Sequence, residues 1–461
     1  MKEALQLAPT LTAARLRART GDAWLDLLAV LSFALSTLMA LTVAGGIWMF
    51  SKWLNDPSLT TPALAEASVQ ETAEYTLSFL DLYFSMALAA GALLVIPIFS
   101  LGASAARLGA RGRAQRLSSL RLVGVTGGQT VAMSVVETLV QWVMGTAVGV
   151  VAYYATLPLW RQVYFFNQPI NTSLMRLPLG LLFGVLALLL VVSLLSTAIG
   201  LQRVRISPLG VARREANPAL KRWRPLAFLA AIIAFTAWTR MEHSFLDAGT
   251  YSVLAIMLLV MVGAISLVGP WMLQLLALPA TRTRSVSQLL AMRRILDDPR
   301  SAWRTVNAIA LLSFIAGFLA PIPMEMDQSE MIFMQDIGTG VLITLSFGFS
   351  VAALSTLMNQ SSTVFDRAQQ TYALSQLGFP RRVFGMTRFI QIMAPLFLAT
   401  IISAGLGLGL GLLASALSMS TSGIIRLGLI LLLGIGLSGA ALAACEPLER
   451  HILATKRRQN D

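Results

Sequence analysis

The feature that most constrains this chain is a series of long apolar runs. About ten occur along its 461 residues, near 23–50, 79–104, 129–158, 177–201, 225–241, 250–278, 304–324, 337–359, 386–416 and 422–445. A helix needs roughly 20 apolar residues to cross the bilayer, although the fifth run is shorter than this. Because 56% of the residues are hydrophobic and only 12% are charged, the chain lacks the polar surface of a soluble protein. We therefore predict an all-α polytopic membrane protein with about ten transmembrane helices.

The basic residues predict the orientation of these helices. If the N-terminus is cytoplasmic, 30 of the 35 lysines and arginines fall in inside segments, as the positive-inside rule requires. With both termini inside, the number of spans must be even, which agrees with ten. The net charge of +13 is therefore explained by topology, with no need for nucleic acid as a partner.

Three sequence matches, all at predicted cytoplasmic edges, indicate an internal duplication. Arg113-Ala114-Gln115, Leu120 and Gly124 match Arg367-Ala368-Gln369, Leu374 and Gly378 at a constant offset of 254. Leu11, Arg15 and Ala23-Trp24 match Leu290, Arg294 and Ala302-Trp303 at an offset of 279, and Ser207-Pro208-Leu209 resembles Glu446-Pro447-Leu448. Since each half starts and ends inside, the repeats are expected to be parallel and related by an axis along the membrane normal.

The duplication divides the chain into a 4+2+4 arrangement of spans. The predicted parts are a cytoplasmic amphipathic N-terminal helix at 1–22, a first four-helix repeat at 23–217, a linking helix pair at 218–280, a second repeat with a preceding amphipathic helix at 281–448, and a cytoplasmic tail at 449–461.

The chain has few residues suited to catalysis or metal binding. Cys445 is its single cysteine, and His243 and His451 lie far apart, so we predict no metal site and no catalytic residues. A glycine-rich phosphate loop ending in Gly-Lys-Ser/Thr is missing, because none of the four lysines follows a glycine. Any nucleotide chemistry must come from another chain.

The repeat motifs resemble those of the FtsX-like permease family of ABC transporters, the type VII or mechanotransmission group. The first loop reads Arg116-Leu-Ser-Ser-Leu-Arg-Leu-Val-Gly-Val-Thr126, close to the family's Leu-Arg-x-x-Gly-Ala-Thr turn before span three. The exit from span four, Arg203-Val-Arg-Ile-Ser-Pro-Leu209, is also close, whereas Leu377–Arg382 is more degenerate. This chain departs from many family members because its outer loops, of about 28 and 12 residues, are too short for an external domain.

The resemblance implies that this chain is a permease subunit that works with a separate ABC-type ATPase, in two copies per chain. ATP and Mg²⁺ would bind to that partner, and no cofactor would bind here. Other implied partners are membrane lipid and an amphiphilic substrate such as a drug, antimicrobial peptide, haem-like molecule or lipid. The implied location is the bacterial plasma membrane.

Two loops, 105–128 and 361–385, are predicted to receive force from the ATPase. Their candidate docking residues are Arg113, Arg116, Leu120, Arg121, Gly124, Arg367, Leu374, Gly378 and Arg381. The alternative is a pair of basic loops that bind lipid head groups and only satisfy the positive-inside bias. Docking is favoured because the repeat preserves residue spacing as well as charge.

Polar residues within the predicted spans form a second candidate set. Glu137 is an acid well inside a span, and its repeat counterpart is Gln391. Such groups are costly in a bilayer unless they are paired or face a cavity. They are expected to form an interhelical hydrogen bond that changes during transport, to contact substrate, or to make a static packing bond.

Small residues mark expected helix crossings. Gly145 and Gly149 form a small-xxx-small pair, and Gly405 with Gly409, followed by Gly407 with Gly411, extends this pattern to the second half. Close packing of helices explains these glycines without a substrate site.

Two other functional classes stay open from the sequence. An FtsX-like signalling or scaffold protein would transmit ATPase motion across the membrane, with the acidic outer loop near 54–75 as a modest docking surface. An ion-coupled secondary transporter is less favoured, because it would need several paired intramembrane charges and broken helices. A membrane-embedded enzyme is least favoured.

Overall fold

A computed structural model describes most of the chain. The described residues are 21–59, 80–106 except 96, 127–205 except 166–167, 223–241, 248–321, 331–366, 376, 380–415 and 421–444. The predicted amphipathic helix at 1–22 and the tail at 449–461 fall almost entirely outside these ranges.

The first half of the chain forms four long helices and a small β-hairpin. The helices are α1 (Gly21–Asn55), α2 (Leu80–Ala106), α3 (Gly127–Thr156) and α4 (Leu179–Arg205). Between α3 and α4, the two-residue strands β1 (Tyr164–Phe165) and β2 (Gln168–Pro169) pair antiparallel.

The rest of the described chain consists of seven further helices. They are α5 (Trp223–Thr239), α6 (Ala248–Ala280), α7 (Val286–Asp297), α8 (Pro299–Leu319), α9 (Met331–Asp366), α10 (Arg381–Ser415) and α11 (Thr421–Ala443). We call α1–α4 the first half, α5–α6 the linking pair and α7–α11 the second half.

Nine of the described helices are long and apolar enough to cross a membrane, which identifies a multi-pass membrane protein. They are α1–α4, α6 and α8–α11, and they correspond to nine of the ten apolar runs. The fifth run forms α5, an apolar helix of only 17 residues. At 1.5 Å per residue its length is about 26 Å, at the lower limit for spanning the hydrocarbon core. A tenth span is therefore not confirmed.

The second half is organised around α8, the most deeply buried span. Asp298 caps α8 because its carboxylate accepts a hydrogen bond at 3.0 Å from the backbone N–H of Ser301, and Pro299 begins the helix. Among the described helices the most extensive packing joins α8 to α10, and Phe314, Ile309 and their neighbours form the centre of the core. The segment from Ile309 to Phe318 is buried on nearly every side, which explains why it is almost entirely apolar.

The linking pair packs onto the second half. Helix α6 lies against α8, and α5 contacts α6 and α10. The contact is close at Gly269, where the ring of Trp303 occupies the space that a Cβ atom would need, at 2.0 Å. A glycine at this position allows α6 to lie directly over the indole.

Helix α7 has the amphipathic pattern expected before the second half. Its Ala291, Met292 and Ile295 are buried against α6 and α10, whereas Arg293 and Asp297 are exposed. A turn at Asp298 then leads directly into α8, which fixes α7 at the end where α8 begins.

Candidate functional site

The loops predicted to couple to an ATPase lie largely outside the described residues. The predicted docking roles therefore stay predictions for Arg113, Arg116, Leu120, Arg121, Gly124, Arg367, Leu374 and Gly378. Arg381 begins α10, and its backbone alone is described. The flanking helices follow the repeat, because α3 begins at Gly127 and α10 begins 254 residues later.

A polar stripe joins α3 to α1 in the first half. Glu137 is 2% exposed and Gln141, one turn further along the same face, is also buried. The Gln141 side-chain nitrogen donates to a carboxylate oxygen of Asp26 on α1 at 2.7 Å. Sequence reasoning missed this pair, although both residues are polar and lie within or beside apolar runs. The sequence shows that both residues are polar, but it does not show that they contact each other.

The corresponding stripe in the second half is less polar. Gln391, the counterpart of Glu137, is only half-buried, and Pro395 stands at the position equivalent to Gln141. Arg388 on the same helix donates to the carbonyl oxygen of Leu442 at 3.4 Å. The two halves therefore share a helix arrangement but differ in the polar contacts that join their helices.

Replacing Gln141 by leucine is expected to lower the free energy of unfolding by about 1 kcal/mol. The change removes the hydrogen bond to the Asp26 carboxylate, and such bonds contribute about 1.5–3 kcal/mol. The substitution also removes the Gln141 side-chain oxygen, which is buried without a hydrogen-bond partner in the described structure. Because burying an unpaired oxygen is unfavourable, its removal makes the net loss of stability smaller. Reversible unfolding in mixed micelles measures the effect. Gln391→Leu is the matched control, expected within about 0.5 kcal/mol of wild type, and an equal loss in both variants would contradict the assignment.

Glycines permit close crossings of α3 with α1 and of α10 with α8. A Cβ atom at Gly145 would lie 2.6 Å from the Val30 carbonyl oxygen, and one at Gly149 would lie 2.6 Å from that of Ala34. In the second half, a Cβ atom at Gly407 or Gly411 would lie 2.0 or 2.3 Å from a carbonyl oxygen of α8.

Gly405 and Gly409, which were predicted to mark a helix crossing, contact no other helix within the described residues. Both are on the exposed side of α10, and no described atom lies within 4 Å of a Cβ placed at either. The crossing instead uses the other pair of the same run, Gly407 and Gly411, which point toward α8. The physical reason is the helix rotation: residues two apart point to nearly opposite sides of a helix.

Helices α2 and α9 join the two halves through nearly equivalent positions. The Tyr83 hydroxyl donates to a carboxylate oxygen of Asp336 at 2.6 Å, across 253 residues of sequence. Near the opposite end, the Ser104 hydroxyl lies 3.4 Å from the Asn359 side-chain oxygen, across 255 residues. Between them Leu94, Ile98 and Leu101 pack with Val351 and Met358.

The spacing of these contacts gives the relation between the halves. Both contacts join residues within one position of the 254 offset, and both residue numbers rise in the same direction along the pair. Helices α2 and α9 therefore run parallel and meet at matching heights. A two-fold axis along the helix direction would bring the facing surfaces of α2 and α9 together in this way, because they are equivalent in the two repeats.

An aromatic cluster surrounds the Tyr83 end of this contact. Phe50 stacks on Tyr83 with ring centroids 6.1 Å apart, and Phe165 of the β1–β2 hairpin meets both rings edge-on. Trp53 packs edge-on against Phe50 at 5.2 Å and is buried, so it belongs to this core rather than to a lipid-facing belt. The β1–β2 hairpin after α3 thus packs over the start of α2, where Tyr83 lies.

The described residues hold no group of three or more His, Cys, Asp or Glu side chains that would bind a metal ion. The polar features instead lie at helix contacts within and between the halves. This arrangement defines the class as a two-part helical membrane protein.

A model of a known protein family matches part of this chain. The family model described as FtsX-like permease C-terminal matches residues 103–208, just under a quarter of the chain. The matched segment runs from the end of α2 through α3 and α4. The resemblance to FtsX-like permeases is thereby confirmed for residues 103–208. No curated protein matches the sequence.

Proposed function

We propose that this chain is the membrane-spanning permease subunit of an ABC transporter and that it works with two copies of a separate ATPase. The observation that carries the proposal is the FtsX-like match, which begins at residue 103 and includes the whole first coupling loop. A membrane subunit that works with a separate ATPase needs no phosphate loop of its own. ATP and Mg²⁺ then bind to the partner.

The helix contacts support a mechanism for this function. Force enters at the loops between α2 and α3 and between α9 and α10. Because α3 crosses α1 in backbone contact, and α10 crosses α8 likewise, each helix pair moves as a unit. The parallel contact of α2 with α9 then serves as the line about which the two halves tilt.

The proposed cargo is an amphiphilic or lipophilic compound, exported or extracted outward from the membrane. With outer loops too short for a folded domain, the compound leaves through the groove between the halves rather than through an external tunnel. The proposed location is the bacterial plasma membrane, with both termini in the cytoplasm as the distribution of basic residues favours.

The decisive experiment is purification of the tagged chain from its native membrane in mild detergent. We expect an ATPase with a phosphate-loop motif to copurify stoichiometrically and to hydrolyse ATP. The double charge reversal Arg113→Glu and Arg367→Glu is expected to remove at least about nine-tenths of the bound ATPase, because it reverses charge in both loops.

Arg161→Glu and Arg426→Glu together form the matched control. They make the same change in charge at predicted outer positions and are expected to retain the ATPase. Absence of any ATPase partner would contradict the permease proposal. Equal loss of the partner in both double variants would instead contradict the coupling-loop assignment.

A further inference from the structure

A groove opens between the two halves and the linking pair. Its walls come from α2, α6, α8 and α9. Its polar lining residues are Ser100, Arg304, Thr305, Asn307 and Ser355. Its apolar lining residues include Leu93, Leu259, Val262, Leu311 and Ile315.

Three of the polar residues lie in the parts of their helices nearest to one side of the protein. Arg304 lies five residues after the start of α8, Ser100 six residues before the end of α2, and Ser355 eleven residues before the end of α9. At 1.5 Å per residue, these separations are about 8, 9 and 16 Å. These are the ends that lead to the arginine-rich loops.

The apolar residues continue the groove toward the middle of the bilayer. Ile315 is 16 residues from the start of α8 and Leu93 is 13 residues from the end of α2, or about 20–24 Å deep. The lining therefore changes from polar and cationic at one end to apolar at the other. An amphiphile standing in one leaflet has the same gradient.

Two groups at the polar end have hydrogen-bonding capacity available for a ligand. Arg304 is exposed, and no described carboxylate forms an ion pair with it. Asn307, one turn further on the same face, accepts a hydrogen bond from Ser266 at 3.1 Å through its side-chain oxygen. No described residue accepts from its amide nitrogen, so that nitrogen and the guanidinium offer donors near each other.

The arginine at the polar end of the groove has no counterpart in the first half. The 279 offset places Leu25 at the position equivalent to Arg304, so the first half has no cation there.

We propose that this groove binds an anionic phospholipid of the cytoplasmic leaflet, with its phosphate at Arg304 and Asn307 and an acyl chain along the apolar wall. Arginine and amide donors match the phosphate oxygens. The assignment to the cytoplasmic leaflet rests on the proposed orientation, but binding itself requires neither that orientation nor an ATPase. The lipid would fill the space between the halves and brace the linking pair.

The test uses phosphatidylglycerol carrying a photoreactive group on its acyl chain, with the purified full-length chain in neutral detergent. After illumination, we expect labelled peptides from the groove walls in α2, α6, α8 and α9. Arg304→Gln is expected to reduce this labelling at least fivefold. Arg293→Gln, which removes an equally exposed arginine on α7 outside the groove, is expected to stay within twofold of wild type.

Competition identifies the ligand. Unlabelled phosphatidylglycerol is expected to displace the probe, whereas phosphatidylcholine and inorganic phosphate at matched concentrations are not. Ala308→Trp fills the groove and is expected to abolish labelling while the protein still elutes as a single species. Unchanged labelling of Arg304→Gln, equal loss in Arg293→Gln, or equal displacement by phosphatidylcholine or phosphate would overturn the proposal. None of these outcomes depends on whether an ATPase copurifies.

Discussion

Gly407→Ala is expected to destabilise the protein by about 3 kcal/mol. The added Cβ would lie 2.0 Å from the carbonyl oxygen of Phe314, and the obstructing atom belongs to the backbone of α8. Overpacking of a buried contact costs about 1–3 kcal/mol, and a rigid obstacle places this change at the upper end. The effect is measured as the free energy of unfolding in mixed micelles, together with the fraction of expressed protein that purifies as a single species.

Gly409→Ala is the matched control for Gly407→Ala. It lies on the same helix two residues away, and no described atom is within 4 Å of the new methyl group. Alanine also has the higher helix propensity, so the variant is expected to range from unchanged to about 1 kcal/mol more stable than wild type. A similar loss at both positions would show that α10 and α8 are not in the described contact.

Tyr83→Phe is expected to cost about 2 kcal/mol and to loosen the contact between the two halves. The hydroxyl donates at 2.6 Å to the buried carboxylate of Asp336, and a hydrogen bond to a charged group contributes about 1.5–3 kcal/mol. Because the bond is the described polar link at this end of α2 and α9, we also expect ATP hydrolysis to become less dependent on substrate in the complete transporter.

A double-mutant cycle isolates this contact. Tyr83→Phe, Asp336→Ala and the combined variant are expected to show a coupling free energy of at least about 1 kcal/mol, because each single change removes the same bond. Tyr154→Phe, which removes a hydroxyl from an exposed tyrosine, is expected to change stability by less than about 0.5 kcal/mol. Additive effects of Tyr83→Phe and Asp336→Ala would show that the two side chains do not interact.

The spans were predictable because bilayer thickness fixes a length that composition reveals directly. The nine confirmed spans each contain a long apolar window, whereas α5 has 17 residues and its run was already the shortest. Packing of α5 against α6 and α10 could not be foreseen, because it depends on which face of each helix meets its neighbours.

The site was less accessible to sequence reasoning for two physical reasons. Glycines at every second position from Gly405 to Gly411 give two interleaved small-xxx-small pairs. Because this part of the helix is apolar on all sides, the sequence does not indicate which pair faces the neighbouring helix. Asp336, near the start of α9, is buried against Tyr83. A partner 253 residues away leaves no local pattern, although the 254 offset brings the two positions into register.

The long separation of Tyr83 from Asp336 has a consequence for synthesis of the chain. At 5–20 residues per second, the ribosome needs roughly 13–50 s to add the 253 residues between them. During that interval α2 has entered the bilayer while α9 does not yet exist, so the surface of Leu94, Ile98 and Leu101 is covered by lipid or by a chaperone. The contact between the two halves therefore forms only after α9 has been synthesised, and the apolar surface of α2 needs another cover until then.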